Sequence, residues 1–369
     1  MTPSPSRPAW AACSRARLRH NLGLLSKAVG GPGRILAVVK ADAYGHGAAE
    51  AGRALQAAGV GRFGVATLEE GVALREAGIR GMILLLGSLE ARYARDAHRH
   101  GIALTAWSRT WLDECARALG PGRSLDIHLK VDTGMARLGF FAPEVPGLLA
   151  DFDAARWRGL ALAGAYTHLA CADERPDRVS AAQLDVFDSL PWPKGLPLHA
   201  ANSAAALRYP RARYAFVRSG LLLYGAMDPS LSPSARQQAP LLKAYATVLR
   251  VAALKAGTGI GYGHTASARK AMRVATVCAG YADGVPRLLS NRGKVLIQGR
   301  ACAVLGRVSM DSFMADVTGL TRARPGDTVT LLDGLDGPCS ARGWAKLCGT
   351  NAYELLCGLS ARLPRRWED

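Results

Sequence analysis

No stretch of this chain stays apolar for the roughly 18 residues that a membrane-spanning helix needs, and the opening MTPSPSRPAW lacks the apolar core of a secretory signal. Membrane spanning and secretion are therefore not expected. Eight cysteines are present at 13, 115, 171, 278, 302, 339, 348 and 357, with no CxxC pair and no zinc spacing among them. They read as reduced thiols, mostly buried, in a cytoplasmic protein, and no metal is expected. Acidic residues are in deficit, 29 against 47 lysines and arginines, which leaves a formal charge of +18. A charge of that sign raises nucleic acid, a membrane surface or a small anion as partners. Yet the arginines are scattered and no block of five or six like charges occurs, so neither nucleic-acid nor membrane binding is expected. Internal repeats and low-complexity tracts are also missing.

What is present is ordinary globular material, 49% hydrophobic and 21% charged, enough for about two domains. After a Pro/Ser-rich start that reads as a loose tail, strand-like runs at 35–39, 61–66, 81–86, 101–105, 124–131, 160–167, 197–201 and 214–218 alternate with helical periodicity. The helical segments include 48–58, 68–77, 108–119 and 177–190. Eight strands alternating with helices suit a (β/α)8 barrel better than an open doubly wound sheet. Composition changes after Tyr224-Gly225: 228–240 reads as a linker, and alternating segments at 244–251, 273–278, 294–297, 302–307 and 328–332 predict a mostly-β domain with one helical patch near 341–357. The expected division is 9–235 for the barrel and 236–369 for the β domain.

The barrel run Ile35-Leu36-Ala37-Val38-Val39 ends in Lys40 rather than in a turn residue. A desolvated lysine has a lowered pKa and becomes a usable base or covalent-attachment amine. Active residues of such barrels sit at strand C-termini, often with a phosphate site after strands 7 and 8. Lys40, Lys130, Arg137, His168, Asn202, Ser203, Arg218 and Gly220 all fall at such positions. Each has an ordinary alternative: terminal lysines snorkel to water, histidines can be satisfied in a core, and arginines form surface pairs. Together, a lysine on strand 1 and phosphate donors across the mouth describe a pyridoxal phosphate pocket.

The string AVVKADAYGHG (37–47) resembles the cofactor-lysine motif of alanine racemases. HLKVDTGMARLG (128–139), AYTHLACAD (165–173), LHAANSAA (198–205), VRSGLLLYG (217–225), IGYGHT (260–265), GYADG (280–284), RVSMDSF (307–313) and NAYE (351–354) resemble further segments of that family, in the same order. The resemblance implies a (β/α)8 barrel with a C-terminal mostly-β domain, and pyridoxal 5'-phosphate as cofactor. It also implies a homodimer with shared sites that interconverts L- and D-alanine in the service of D-alanine metabolism. Lys40 would carry the cofactor and act as base on one face of the substrate Cα, with Tyr262 from the second subunit as base on the other. Tyr44, Ser203, Gly220, Leu221 and Tyr353 would hold the phosphate, with Asn202 beside them. Arg218, supported by His168, would face the pyridine nitrogen. Arg137 and the backbone at Met310, the latter from the second subunit with Asp311 next to it, would orient the substrate carboxylate. Lys130, seven residues before Arg137, occupies the place of a lysine that is carbamylated in some relatives.

Rival expectations are a racemase of broader specificity, or one for serine or a basic amino acid, on the same scaffold, a decarboxylase on the related two-domain fold, and a non-catalytic cofactor carrier. Tyr262, Tyr353 and Met310 are bulky and would narrow the pocket toward alanine. A carrier would have no use for a second domain bearing a second base.

Overall fold

The computed structural model describes residues 7–369, and of the expected loose tail residues 1–6 lie outside that range. Eight parallel strands run in the order Val217–Ser219, Ile35–Val38, Arg62–Val65, Met82–Leu85, Ile102–Ala106, Leu125–Asp132, Leu160–Tyr166 and Leu198–His199. Backbone bonds from Ala215 N to Leu198 O (3.0 Å) and from Arg218 N to Ala201 O (2.9 Å) tie the last strand to the first. The result is the expected barrel, with every strand within a few residues of its predicted place.

Side chains on a strand alternate between faces, and here the alternation separates two environments. Ile35, Ala37 and Val39 point outward into the large core shared with the surrounding helices, as do Ile127, Leu129 and Val131. Leu36 and Val38 point inward, where with Leu84, Ala103 and Phe216 they form a small apolar plug. Residue 40 continues the inward parity of 36 and 38. Above the plug the interior is polar: His128, Lys130, Tyr166, His199 and Arg218 are all buried there. A barrel whose inner face turns from aliphatic to cationic along its axis has a floor and a working end.

The second sheet is mostly antiparallel, in the order Met272–Val277, Phe313–Asp316, Arg300–Leu305, Lys294–Ile297, Thr328–Leu332, Leu242–Leu254, Trp10–Ser14 and Arg365–Glu368. Strand Leu242–Leu254 is 13 residues long. A register shift between Val248 and Arg250 lets its far half pair with Met272–Val277, which curls the sheet around its own core.

Three features differ from the sequence reading. Residues 10–14, expected in the barrel unit, pair with Leu242–Leu254 and Arg365–Glu368 in the second sheet. Strand partnership over so long a separation leaves no local signal. The presumed linker 228–240 contains helix Pro233–Gln237, begun by Ser232, whose side chain caps Ala235 N, with Pro233 as first helical residue. Serine and proline there are helix-start chemistry rather than linker composition. The single patch near 341–357 is two helices, Ala341–Cys348 and Ala352–Gly358, separated by left-handed Gly349 and a new cap at Asn351. No helix among the described residues is long and apolar enough to cross a membrane.

Three buried histidines and the half-buried His168 set an acid limit on this fold. His46 is fully buried: its Nδ1 lies 2.8 Å from Ala43 O and its Nε2 has no partner. Burial lowers its pKa to about 4, and burial with Arg218 nearby lowers His128 to about 4 as well. His168 and His199 lie further below the usual histidine range, again chiefly through burial. The unfolded chain, titrating near 6.5, binds more protons than the folded one between pH 6.5 and 4. Stability is therefore fully present above pH 6.5 and is lost as pH falls toward 4, by up to about 3 kcal/mol for each of His46 and His128. Urea unfolding midpoints should drop steadily over that window, and His46→Asn should flatten the drop.

Candidate active site

The strand that ends at Val38 delivers Lys40 to the rim of a cleft of about 1130 Å³ at the polar end of the barrel. Immediately after it the chain makes an unusual turn. Ala41, Asp42, Ala43 and Tyr44 all adopt left-handed φ between 51° and 55°. Each such residue costs roughly 1–2 kcal/mol, so the turn persists only because neighbours fix it. Ala41 N donates to Glu70 Oε1 (2.7 Å), Ala48 N donates to Asp42 Oδ1 (2.7 Å), and Gly47 N donates to Asp42 O (2.9 Å). Strain held at one point of a structure marks a functional constraint. Here it aims Tyr44 across the cleft. The Lys40 pKa is lowered, first by burial and then by Arg137, which favours a neutral amine.

On the far wall, Ser203 begins helix Ser203–Arg208, and Asn202 caps it by accepting from Ala205 N at 2.9 Å. Ser203 Oγ lies 2.9 Å from Ser219 Oγ and accepts from Gly220 N at 3.2 Å. Tyr44 leans over the same spot. A Cβ at Gly220 would lie 2.6 Å from the Tyr44 hydroxyl, so only glycine permits this approach. Hydroxyls, backbone N–H groups and a helix start converging on one point form an anion cradle. Leu221 and Tyr353, the latter from helix Ala352–Gly358, complete its lining.

Arg218 lies between the two walls and is buried. Its terminal nitrogens donate to Thr167 O (2.7 Å), His199 O (3.0 Å), Ala200 O (3.0 Å) and His199 Nδ1 (2.9 Å), and reach His168 Nδ1 at 3.2 Å. No carboxylate among the described residues pairs with it. Burial lowers its pKa only to about 10, so it stays charged at neutral pH. Lys130 is buried beside it, with a single bond from Nζ to Val131 O at 3.1 Å. Burial, then Arg218, lowers the Lys130 pKa to about 7. Arg137 borders the same cleft on the loop after this strand.

Tyr262 and Met310 do not join this cluster. They lie on the second domain, 71% and 51% exposed, and neither lines the cleft. Their loops are neighbours, since a Cβ at Gly263 would touch the Arg307 guanidinium at 3.2 Å and one at Gly261 would lie 3.6 Å from Arg307 N. The Met310 backbone N–H has no partner among the described residues.

Known proteins resolve what this arrangement belongs to. The family profile described as alanine racemase, N-terminal domain, matches residues 13–228, and that described as alanine racemase, C-terminal domain, matches 241–367. This chain belongs to the alanine racemase family. An alanine racemase of Sorangium cellulosum is 40% identical over 98% of this chain and 100% of its own length. The structure of an alanine racemase from D-cycloserine-producing Streptomyces lavendulae superposes with a TM-score of 0.90 at 34% identity, covering 100% of this chain and 98% of the other. That of Bacillus anthracis, with bound L-Ala-P, gives 0.91 at 32%, covering 100% and 96%.

Two residues that lie inside the matching segments, but were given no role there, carry weight in this racemase. His199 is stacked between the Tyr166 ring (4.7 Å, 10°) and the Phe216 ring (4.3 Å, 25°). A guanidinium only donates, so His199 Nδ1 accepts from Arg218 and its proton sits on Nε2, 3.0 Å from His128 Nδ1. Asp132 holds the Arg137 loop by accepting from the backbone of Gly134, Met135, Ala136 and Arg137 at 2.9–3.1 Å. Burial alone would raise its pKa, but those four bonds outweigh it and lower the carboxyl to about 2. The DTG string in 128–139 is the available signal for Asp132. For His199 the signals are its place in 198–205 and strand parity.

Proposed function

We propose that this chain binds pyridoxal 5'-phosphate at Lys40 and interconverts L- and D-alanine by a two-base mechanism. The observation that carries the reading is a buried guanidinium with no acidic partner among the described residues, Arg218, facing the same cleft as Lys40. The residues present fit the cofactor: an amine on one wall, an anion cradle at Tyr44, Ser203, Gly220 and Leu221 opposite, and a cation between. Asn202, Tyr353 and His168 support these as cap, lining and Arg218 contact. When bound, the cofactor supplies a conjugated ring into which charge left on the substrate Cα can spread.

This chain's residues supply the rest. Racemisation removes a proton from one face and returns one to the other, so two bases are needed. Lys40 Nζ serves one face, its pKa lowered by burial and by the Arg137 charge. Tyr262 of the partner subunit serves the other, and its exposure in the single chain supports a site completed by dimerisation. Arg218 cannot accept a proton, so it presents a donor where a carboxylate would keep the ring nitrogen protonated, which restrains competing reactions. Arg137 and the backbone N–H at Met310 of the partner subunit hold the substrate carboxylate. The proposed units are 9–235 and 236–369 as read from sequence, with residues 10–14 crossing between them. A cytoplasmic homodimer is the proposed setting.

The direct test is chiral analysis of alanine after incubation with the purified protein, beside L-serine, L-lysine and L-arginine. Faster turnover of any of these three would reassign the substrate. Lys130 carries a further proposal. A neutral amine with one bond, beside Arg218 and near Arg137, can add carbon dioxide at Nζ, releasing a proton and gaining a carboxylate that both arginines would stabilise. Native mass spectrometry in bicarbonate should find the added carbon dioxide, and Lys130→Ala should lose it.

A further inference from the structure

We infer that Arg7 is a positioning residue for the racemase reaction, holding the loop that lends the Met310 N–H to the neighbouring active site. The inference rests on the shared-site reading above and adds to it a residue from a different part of the chain. Asp283, in the turn of GYADG, is a carboxylate with no solvent exposure. Such a group is costly to bury unless it is paired. Arg7 NH2 donates to Asp283 Oδ2 at 2.6 Å, and the same nitrogen donates to Asp311 O at 2.8 Å. From the other end of the chain, Arg362 lies 3.4 Å from Asp283 Oδ1 and donates to Asp311 Oδ1 at 2.7 Å.

Two guanidiniums and two carboxylates thus clamp the residue that follows Met310. The clamp also acts from beneath. Asp283 Oδ2 accepts from Gly280 N at 2.8 Å, and Gly280 packs so closely that a Cβ there would lie 2.3 Å from both Ser309 O and Met310 O. Ala282 N donates to Met310 O at 3.1 Å. The peptide that carries the Met310 N–H is held through its own carbonyl, since Tyr281 N donates to Ser309 O at 3.0 Å, and in a trans peptide the N–H then points away from Tyr281. Arg7 is itself anchored: Ala9 is buried, and Pro8 O accepts from Thr247 Oγ1 at 2.9 Å. One hydrogen-bond donor from the segment preceding the first strand therefore governs the placement of a substrate contact some three hundred residues later in the chain.

A carboxylate contact made equally in the bound substrate and in the transition state affects KM rather than kcat. Arg7→Ala should raise KM for alanine about tenfold, the scale of a weakened hydrogen bond to a charged group, and leave kcat within about threefold. Arg7→Lys should restore most of the loss, because one ammonium can reach both acceptors. Mixed dimers make the test specific. Pairing a Lys40→Ala chain with a Tyr262→Phe chain leaves one complete site, built from Lys40 of the second and from Tyr262 and Met310 of the first. Arg7→Ala placed in the Lys40→Ala chain should raise KM, and placed in the Tyr262→Phe chain should leave it unchanged. If Arg7→Ala does not assemble, Arg7→Gln takes the same two placements. An equal effect in both placements, or none in either, overturns the role of Arg7. No activity in the parent mixed dimer overturns the shared site, and the inference with it.

Discussion

Lys40→Ala should abolish both racemisation and the visible absorbance of the bound cofactor, with activity falling at least about a thousandfold because base and attachment point go together. Lys40 makes no hydrogen bond among the described residues, and its neighbour Arg137 repels it. The substitution should therefore leave the fold intact, with an unchanged far-UV circular dichroism spectrum and a thermal midpoint at or slightly above that of the cofactor-free parent. This separates a chemical role from a structural one. A variant that keeps its absorbance while losing activity would show that attachment lies elsewhere. Normal turnover would remove Lys40 from the mechanism altogether.

Tyr262→Phe should keep the cofactor and lose racemisation by about a hundred- to ten-thousandfold, the usual weight of one acid–base group. A sharper consequence follows from having two bases on opposite faces. With Lys40 intact, the Cα proton of one alanine enantiomer should still exchange with deuterated solvent, while inversion is suppressed. The other enantiomer should show neither. Equal exchange of both enantiomers, or near-wild-type turnover in either direction, would exclude Tyr262 as the second base. Because the tyrosine is 71% exposed on the single chain and removed from the Lys40 cleft, its loss should not disturb the barrel.

Local patterning carried most of the architecture. The barrel strands are legible because residues such as Ile35–Val38 are buried on both faces and so read as unbroken apolar runs. Lys40 is legible because it interrupts such a run, and the helices because their caps and periodicity are local. The left-handed turn at Ala41–Tyr44 is not legible, since two alanines and an aspartate carry no preference strong enough to announce it. Glu70, twenty-nine residues on, helps to impose it through the Ala41 N–H. The same limit hides strand Trp10–Ser14, whose partners lie more than two hundred residues away, and the clamp that joins Arg7 to Asp283.

Residue order alone carries the barrel, most of its companion sheet, the family, and which residue types stand at strand ends. Those follow from near-neighbour spacing and side-chain chemistry, which a linear string retains. It took the folded chain to show that Arg218 is buried with no carboxylate partner among the described residues, that Lys130 has its pKa lowered to about 7, and that His199 is locked in one tautomer between two rings. Only it showed that Tyr262 and Met310 stand apart from the cleft of their own chain. Charge state and reach depend on what surrounds a group in space, and desolvation and distance have no counterpart in residue order.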